Sequence, residues 1–411
     1  MELKEKIYSE KKFAGNINIE NIKTSDNCQA AITHYYHNQN NNRSNYYKRT
    51  AIDHVKNILE YQYPEKNIND EVAEEAIQYI LSDLREDIPF QKPEESKFKF
   101  IDLYAGVGGF RIAMQELNGN CVFSSEWDEK AKETYKANYG EVPFGDISKN
   151  STQNFIPNNF DILCAGFPCQ AFSIAGYRKG FSDTRGTQFF QIEQITNNFR
   201  PKVLFLENVK NLMTHDKGKT FKVILEILEE KLGYKVFYKI LNSMTHANIP
   251  QNRDRIFIVA FNPSKVPNYK NFKFPDEIKL TKTIHDFIEK DKKDTKYYYT
   301  KEHKYYSQLS EKISNRDTVY QWRRVYVREN KSKVCPTLTA NMGTGGHNVP
   351  LIKDYYGIRK LTPRECFSFQ GYPVDKFVFP KIANSKLYMQ AGNSVTLTLV
   401  KRISKEIIKV L

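Results

Sequence analysis

Phe100-Ile101-Asp102-Leu103-Tyr104-Ala105-Gly106-Val107-Gly108-Gly109-Phe110-Arg111 decides the fold of this chain. An apolar strand pattern runs into a glycine-rich turn and then into a helix. Glycine in such a turn lets the backbone pass close to a ligand. The spacing departs from G-x-G-x-x-G, so a nicotinamide dinucleotide is not implied. Working outward, Phe98 to Leu103, Val122-Phe123, Asp161 to Cys164, Val203 to Leu206 and Ile256 to Phe261 are compact apolar runs of buried-strand type. Between the last two, Phe221, Leu225, Leu228 and Leu232 mark one face of a helix. Val395, Leu399, Ile403 and Ile407 mark another near the C-terminus. The alternation predicts an α/β fold: a Rossmann-like, mostly parallel sheet with helices on both faces.

Acidic residues follow the next apolar segments. Glu126-Trp127-Asp128 stands where a second strand ends, a position from which an acid grips ribose hydroxyls. Gly145-Asp146-Ile147 follows a third segment, and Asp146 can accept from an adenine amino group. Downstream of a glycine-rich first turn, the two acids fit an adenosine-type cofactor better than either fits alone. The net charge of +14 suits a polyanionic partner, and 27 Phe and 26 Tyr offer rings that can stack on bases. A lysine-rich solvated surface with aromatics in the core fits the same counts. No stretch reaches the length of a membrane span, and Met1 to Lys6 lacks the apolar run of a signal peptide, so an intracellular protein is expected.

Six cysteines, at 28, 121, 164, 169, 335 and 366, form no C-x-x-C pair and no zinc-type spacing, so no metal is expected. One has the neighbourhood of a reactive group. Ala165-Gly166-Phe167-Pro168-Cys169-Gln170 directly follows a strand, and parallel sheets place their chemistry at the carboxyl ends of strands. Arg178 and Lys179, downstream, would favour the thiolate. Cys164, inside the strand, reads as structural.

From Pro168-Cys169-Gln170 onward the chain resembles the bacterial DNA (cytosine-5) methyltransferases of restriction-modification systems. The resemblance continues through Glu207-Asn208-Val209, Gln251-Asn252-Arg253-Asp254-Arg255, Arg359 to Cys366, and Gln390-Ala391-Gly392-Asn393-Ser394-Val395. These motifs stand in the family's order and cover about residues 98–262 and 334–400. The resemblance implies Cys169 as the nucleophile that attacks cytosine C6. It implies Glu207 as the acid at N3, Arg255 at the cytosine O2, and Arg253 holding the catalytic loop or DNA. It assigns S-adenosyl-L-methionine as cofactor, with Tyr104 near the adenine and Gly106, Gly108 and Gly109 at the methionine end. Glu126 takes the ribose, Trp127 stacks, and Asp146 with Ile147 receives the adenine. Pro168, Asn393 and Val395 close the pocket. Tyr104 stands where Phe is usual, a change that keeps the ring.

A base buried in a duplex must be extruded before its C6 can be attacked, so double-stranded DNA and base flipping are implied. Gln170, Ser173 and Arg178 would contact DNA from the catalytic loop. A smaller target-recognition domain, residues 263–355, interleaves basic and aromatic residues in Lys296 to Tyr299 and Tyr320 to Arg324. There Arg323, Arg324, Arg328 and Thr337 are candidate DNA contacts. Around it the division reads 1–95 as an accessory extension, 96–262 as the catalytic domain and 356–411 as a segment returning to it. Glu71 to Leu84 reads as an amphipathic helix with Val72, Ala76, Ile80 and Leu84 at four-residue steps. A bacterial cytoplasmic monomer, partnered functionally by a cognate restriction endonuclease, is expected. The alternatives are an RNA cytosine-5 methyltransferase on the same scaffold and a catalytically silent DNA-binding homologue. The size of the recognition region argues against the first, and the intact motif set against the second. The DNA target is not legible beyond a faint likeness to enzymes of CC-containing sites.

Overall fold

The computed structural model describes residues 26–37, 47–85, 88–168, 188–323, 325–344 and 347–411. The chain divides into two compact units, residues 1–91 with 122–157, and residues 92–121 with 158–411. In chain order, helices α1 (Asp26–Tyr36), α2 (Lys48–Gln62) and α3 (Asp70–Arg85) come first. There follow β1 (Phe98–Leu103), α4 (Gly109–Gln115), β2 (Gly119–Ser125), α5 (Glu129–Tyr139), α6 (Asn150–Gln153), β3 (Ile162–Gly166), α7 (Gln188–Phe199) and β4 (Val203–Val209). Then come α8 (Lys219–Glu226), β5 (Lys235–Asn242), α9 (Ser243–Ala247), β6 (Gln251–Asn252) and β7 (Asp254–Phe261). The last part holds α10 (Tyr306–Lys312), β8 (Tyr320–Trp322), β9 (Val327–Glu329), β10 (Cys335–Pro336), β11 (Leu351–Lys353) and β12 (Ile358–Lys360). Helices α11 (Pro363–Phe369), α12 (Asn384–Asn393) and α13 (Leu397–Ile408) close the chain.

In the larger unit β1, β3, β4, β7 and β5 lie side by side in that order. β1, β3 and β4 are parallel, in a register that sets Leu103 beside Ala165 and Gly166 beside Glu207. β7 runs antiparallel to both β4 and β5. The fold is the mostly parallel α/β sheet that the alternation predicts. β3 and the first half of β4 are buried on both faces, which is why they read as unbroken apolar runs. β5 has no such run. It is the edge strand beside β7, and Lys235, Tyr238, Lys239 and Ile240 stand exposed on it. Helix α13 packs on α4 and buries Leu399, Ile403 and Ile407 of the expected stripe together with Val400, while Val395 is buried just before the helix begins. Of the helix face expected before β5, Phe221, Leu228 and Leu232 are buried and Leu225 is half-buried, with Ile224 and Ile227 also facing inward; the face runs on from α8 through a further helical turn at Ile227–Lys231.

In the smaller unit α3 forms; Ala73, Ala76 and Ile77 face inward and Val72 is half-buried, while the side chains of Ile80 and Leu84 lie outside the described residues. α3 packs on α2, which buries Ala51, Ile52, Val55 and Leu59. Side chains from this helical layer reach a stack of rings around Phe144. Phe123 lies 4.9 Å and Phe155 5.0 Å from it, both face to face, and His34 of α1 stacks at 5.2 Å.

Strands β8, β9 and β11, with β12 from beyond residue 355, build a four-stranded antiparallel sheet ordered β12-β11-β8-β9. Its core is Tyr299, Leu309, Ile313, Tyr320, Trp322, Leu351 and Ile358. The aromatics interleaved with basic residues are therefore in part core, while among the described residues from Tyr320 to Arg328 it is Arg323, Val325, Tyr326 and Arg328 that face solvent. Strands of three residues enclose a thin core, which only large side chains fill. On β12, buried Arg359 is clamped by Asp354 at 2.7 Å and Glu365 at 2.7 and 2.8 Å. Burial opposes its charge, but the two carboxylates more than compensate and raise its pKa.

Candidate active site

The glycine turn after β1 turns in the left-handed region, with φ of +55° at Tyr104, +56° at Gly106 and +81° at Gly108. Only glycine takes that region at no steric cost. Among the described residues beyond its chain neighbours, no heavy atom lies within 4 Å of where a Gly106 side chain would begin. The Tyr104 hydroxyl, absent from the usual Phe, donates to the carbonyl of Gln188 at 2.9 Å. Gly109 opens α4 where a Cβ would collide with Val395 at 2.5 Å and the Tyr372 hydroxyl at 2.7 Å. Glycine there lets Val395 close on the turn.

In the smaller unit Glu126 directly follows β2, buried, its Oε1 accepting from the amides of Trp127 and Asp128 at 2.8 Å each. Trp127 is 74% exposed, an unusual cost for an indole and a ready stacking face. Asp146 turns on itself, its Oδ1 accepting from Ser148 N at 2.9 Å, and Ile147 is buried beside it.

β3 delivers Gly166, buried Phe167 and exposed Pro168. Cys169, Gln170, Ser173, Arg178 and Arg324 lie outside the described residues. Glu207 stands level with Gly166 at the end of β4, and Arg255 Nε lies 3.0 Å from its Oε1. Burial raises the Glu207 pKa, and Arg255 and Arg253 pull it down by less. The net effect holds this acid nearer its neutral form than an ordinary glutamate, despite the arginine contact. Asn208, next in line, donates to the carbonyl of Phe167 at 2.9 Å, while its Oδ1 accepts from Val209 N at 2.8 Å. The β4 end thereby fixes the backbone two residues before Cys169. The sequence reading passed over Asn208; only its place beside Glu207 hinted at it.

Arg253 and Arg255 part company. Arg255 reaches Glu207, whereas fully buried Arg253 donates to the carbonyls of Leu338 at 2.6 Å, Gly392 at 3.2 Å and Ser394 at 2.6 Å. Burial, then Arg255, lowers its pKa, but three carbonyl oxygens facing it keep the guanidinium ionised. It knits the Thr337-Leu338 segment to the α12 end that presents exposed Asn393 and buried Val395. Thr337 itself donates to the carbonyl of Asn252 at 2.6 Å. Tyr372, which no motif singled out, bonds Ser394 Oγ at 2.6 Å.

The same knot holds Gly392 against backbone. A Cβ there would sit 2.1 Å from the Thr339 carbonyl carbon and 2.3 Å from Ala340 N. Backbone cannot swing aside, so Gly392→Ala is expected to destabilise the protein by about 1–3 kcal/mol, read as a lowered denaturant midpoint. A midpoint within error of the parent would contradict this packing.

Of the described cysteines, Cys121, Cys164, Cys335 and Cys366 are buried and Cys28 half-buried. Burial pushes the thiols of Cys164, Cys335 and Cys366 well up, so these three are not thiolates. Among the described residues no group of three or more His, Cys, Asp or Glu could hold a metal ion, and no helix is long and apolar enough to cross a membrane.

Comparison with known proteins agrees with this geometry. Residues 98–409 match the family model of C-5 cytosine-specific DNA methylases. Type II methyltransferase M.Bsp6I of Bacillus sp. (strain RFL6) is 51% identical over 311 residues, covering 75% of this chain and 97% of its own. Type II methyltransferase M.HpaII of Haemophilus parainfluenzae is 41% identical over 358 residues, covering 83% and 97%. In fold, the S. pombe Dnmt2 methyltransferase aligns with a TM-score of 0.57 at 17% identity, covering 76% of this chain and 99% of its own. A left-handed glycine turn after β1, a buried acid at the end of β4 and a family match across both motif-bearing segments lead to one conclusion: the chain belongs to the C-5 cytosine-specific DNA methylases.

Proposed function

We propose that this protein methylates C5 of a cytosine in a short specific site of double-stranded DNA, through a covalent bond between Cys169 and C6 of the extruded base. It would act in a restriction-modification system and protect DNA from a cognate endonuclease. The observation that carries this reading is the placement of Glu207. It is buried, biased toward its neutral form, held by Arg255, and level with the strand that leads into Pro168-Cys169. Cytosine C5 is a poor nucleophile until a thiolate adds at C6 and a proton arrives at N3. An acid whose neutral form is favoured by burial can deliver that proton. Arg255 would meet the O2 side of the ring, and Arg253 acts at one remove by fixing the Leu338 and Ser394 backbone.

S-adenosyl-L-methionine supplies a methyl group activated by its positively charged sulfur. The residues present fit it: the left-handed turn at Gly106 in the larger unit, and Glu126, exposed Trp127 and Asp146 in the smaller. Tyr104, Gly108, Gly109, Ile147, Pro168, Asn393 and Val395 complete the proposed set. Arg323 and Arg328, exposed on the recognition sheet, with Thr337 are the described candidates for DNA contact, phosphate before base. Gln170, Ser173, Arg178 and Arg324 are proposed beside them.

DNA carrying 5-fluorocytosine tests the covalent step. After addition at C6 and methylation, C5 bears fluorine in place of the proton that must leave before the thiolate can be expelled. A complex that survives denaturing gel electrophoresis is expected with the parent protein and none with Cys169→Ala. A complex that persists in the variant would point to another nucleophile. Bisulfite sequencing of DNA from expressing cells reads the target site directly.

A further inference from the structure

The helices before residue 98 lie outside the matched family segment, yet they are built onto the two acids assigned to the cofactor. Asn27 of α1 accepts from the amide of Gly145, the residue before Asp146, at 3.0 Å. Its Nδ2 donates to the Ser151 carbonyl and the Thr152 hydroxyl, each at 3.3 Å. One side chain thus pins both ends of the loop that carries Asp146. Thr33 of α1 accepts from Val142 N at 3.0 Å, and the Tyr47 hydroxyl donates to the carbonyls of Val122 at 3.0 Å and Phe155 at 2.9 Å. Between these anchors runs Phe144. Its amide donates to Ser124 O at 2.8 Å, and its carbonyl accepts from Glu126 N at 2.9 Å. The backbone that holds Glu126 therefore leads, two residues on, to Asp146. His34 and Tyr47 pack on the Phe144 ring at 5.2 and 5.3 Å. Behind them His34 Nδ1 lies 3.4 Å from Glu141 Oε2, both fully buried.

We propose that α1 to α3 form a brace that sets the spacing of Glu126 and Asp146 for adenosine, with Asn27 as the positioning residue for Asp146. The inference rests on the cofactor assignment of those two acids. A loop held at both ends arrives ordered; a loop held at one end must lose freedom on binding, and affinity falls by that cost.

The test uses the full chain and S-adenosyl-L-methionine in isothermal titration without DNA. Asn27→Ala is expected to weaken binding about tenfold, the size of one lost hydrogen-bond anchor. The loss should appear in KM for the cofactor and not in KM for DNA. In an Asp146→Ala background the same substitution should change affinity less than about twofold, because the group it positions is gone. Thr33→Val, nearly isosteric, is a second variant that should weaken binding in the same direction. If Asp146→Ala binds as tightly as the parent, the cofactor reading itself fails. If Asp146→Ala weakens binding and Asn27→Ala does not, that reading stands and the brace is overturned. Equal losses from Asn27→Ala in both backgrounds, or a lowered melting temperature with unchanged affinity, also overturn it.

Discussion

Cys169→Ser is expected to lose methyl transfer by about 10⁴-fold or more while S-adenosyl-L-methionine still binds. A serine hydroxyl ionises so far above neutral pH that almost no alkoxide exists to attack C6, whereas a thiol near a cationic neighbour supplies thiolate readily. Cys164, Cys335 and Cys366 cannot stand in. Burial holds Cys164, five positions earlier on β3, far from ionisation, and Cys335 and Cys366 are in the same state. The residues assigned to the adenosine end, Glu126 and Asp146, accept from amides of their own loops, and Asn27 of α1 accepts from Gly145 N beside Asp146, so the substitution leaves these contacts untouched. Transfer of labelled methyl to DNA, measured beside cofactor affinity, separates the two properties. Turnover within tenfold of the parent would sink the nucleophile assignment; lost activity with lost cofactor affinity would point to misfolding instead.

What the sequence disclosed follows from burial. β1, β3, β4 and β7 are enclosed by helices and neighbours, so selection for apolar side chains wrote them as continuous runs. β5 escaped notice because an edge strand answers to solvent on one side and places Lys235 and Lys239 among its apolar residues. The helix face from Phe221 to Leu232 was legible because its steps of four, three and four residues follow the 3.6-residue turn, and Phe221, Leu228 and Leu232 are buried. Tyr320 and Trp322 resembled base-stacking rings in composition, yet a thin sheet needs them inside.

The site divides the same way. Glu207 and Arg255 are recognisable because each ends or opens an apolar strand and belongs to a motif. Arg253 belongs to the same motif, but its partners are carbonyls 85, 139 and 141 residues away, and no local pattern encodes carbonyls. Asn27 is the extreme case. It is one asparagine in a polar segment, and its bonds reach 118 to 125 residues along the chain. Backbone partners leave no complementary residue to look for, so such contacts emerge only from the folded chain.

Glu207→Gln should lower kcat by about 10²–10⁴-fold, the range of a lost general acid. The amide keeps an oxygen for Arg255 Nε, now 3.0 Å from Oε1, and has the shape of the parent carboxyl, so the end of β4 should remain folded. It cannot, however, release a proton to N3. The pH dependence gives an independent reading. Because burial raises the Glu207 pKa against the weaker pull of Arg255 and Arg253, the protonated form persists above the ordinary glutamate range. Activity that depends on that form is fully present below the folded pKa and falls as pH rises through it. The native state also holds this proton more tightly than the unfolded chain, so the group's contribution to stability declines over the same rise. The Gln variant has nothing to titrate there, and its residual kcat should lose that alkaline limb. Arg255→Ala removes one of the two charges that oppose burial, so it should move the limb to higher pH while weakening the grip on Glu207. A Gln variant whose kcat stays within about threefold of the parent, or whose alkaline limb is unchanged, would assign the proton to another group.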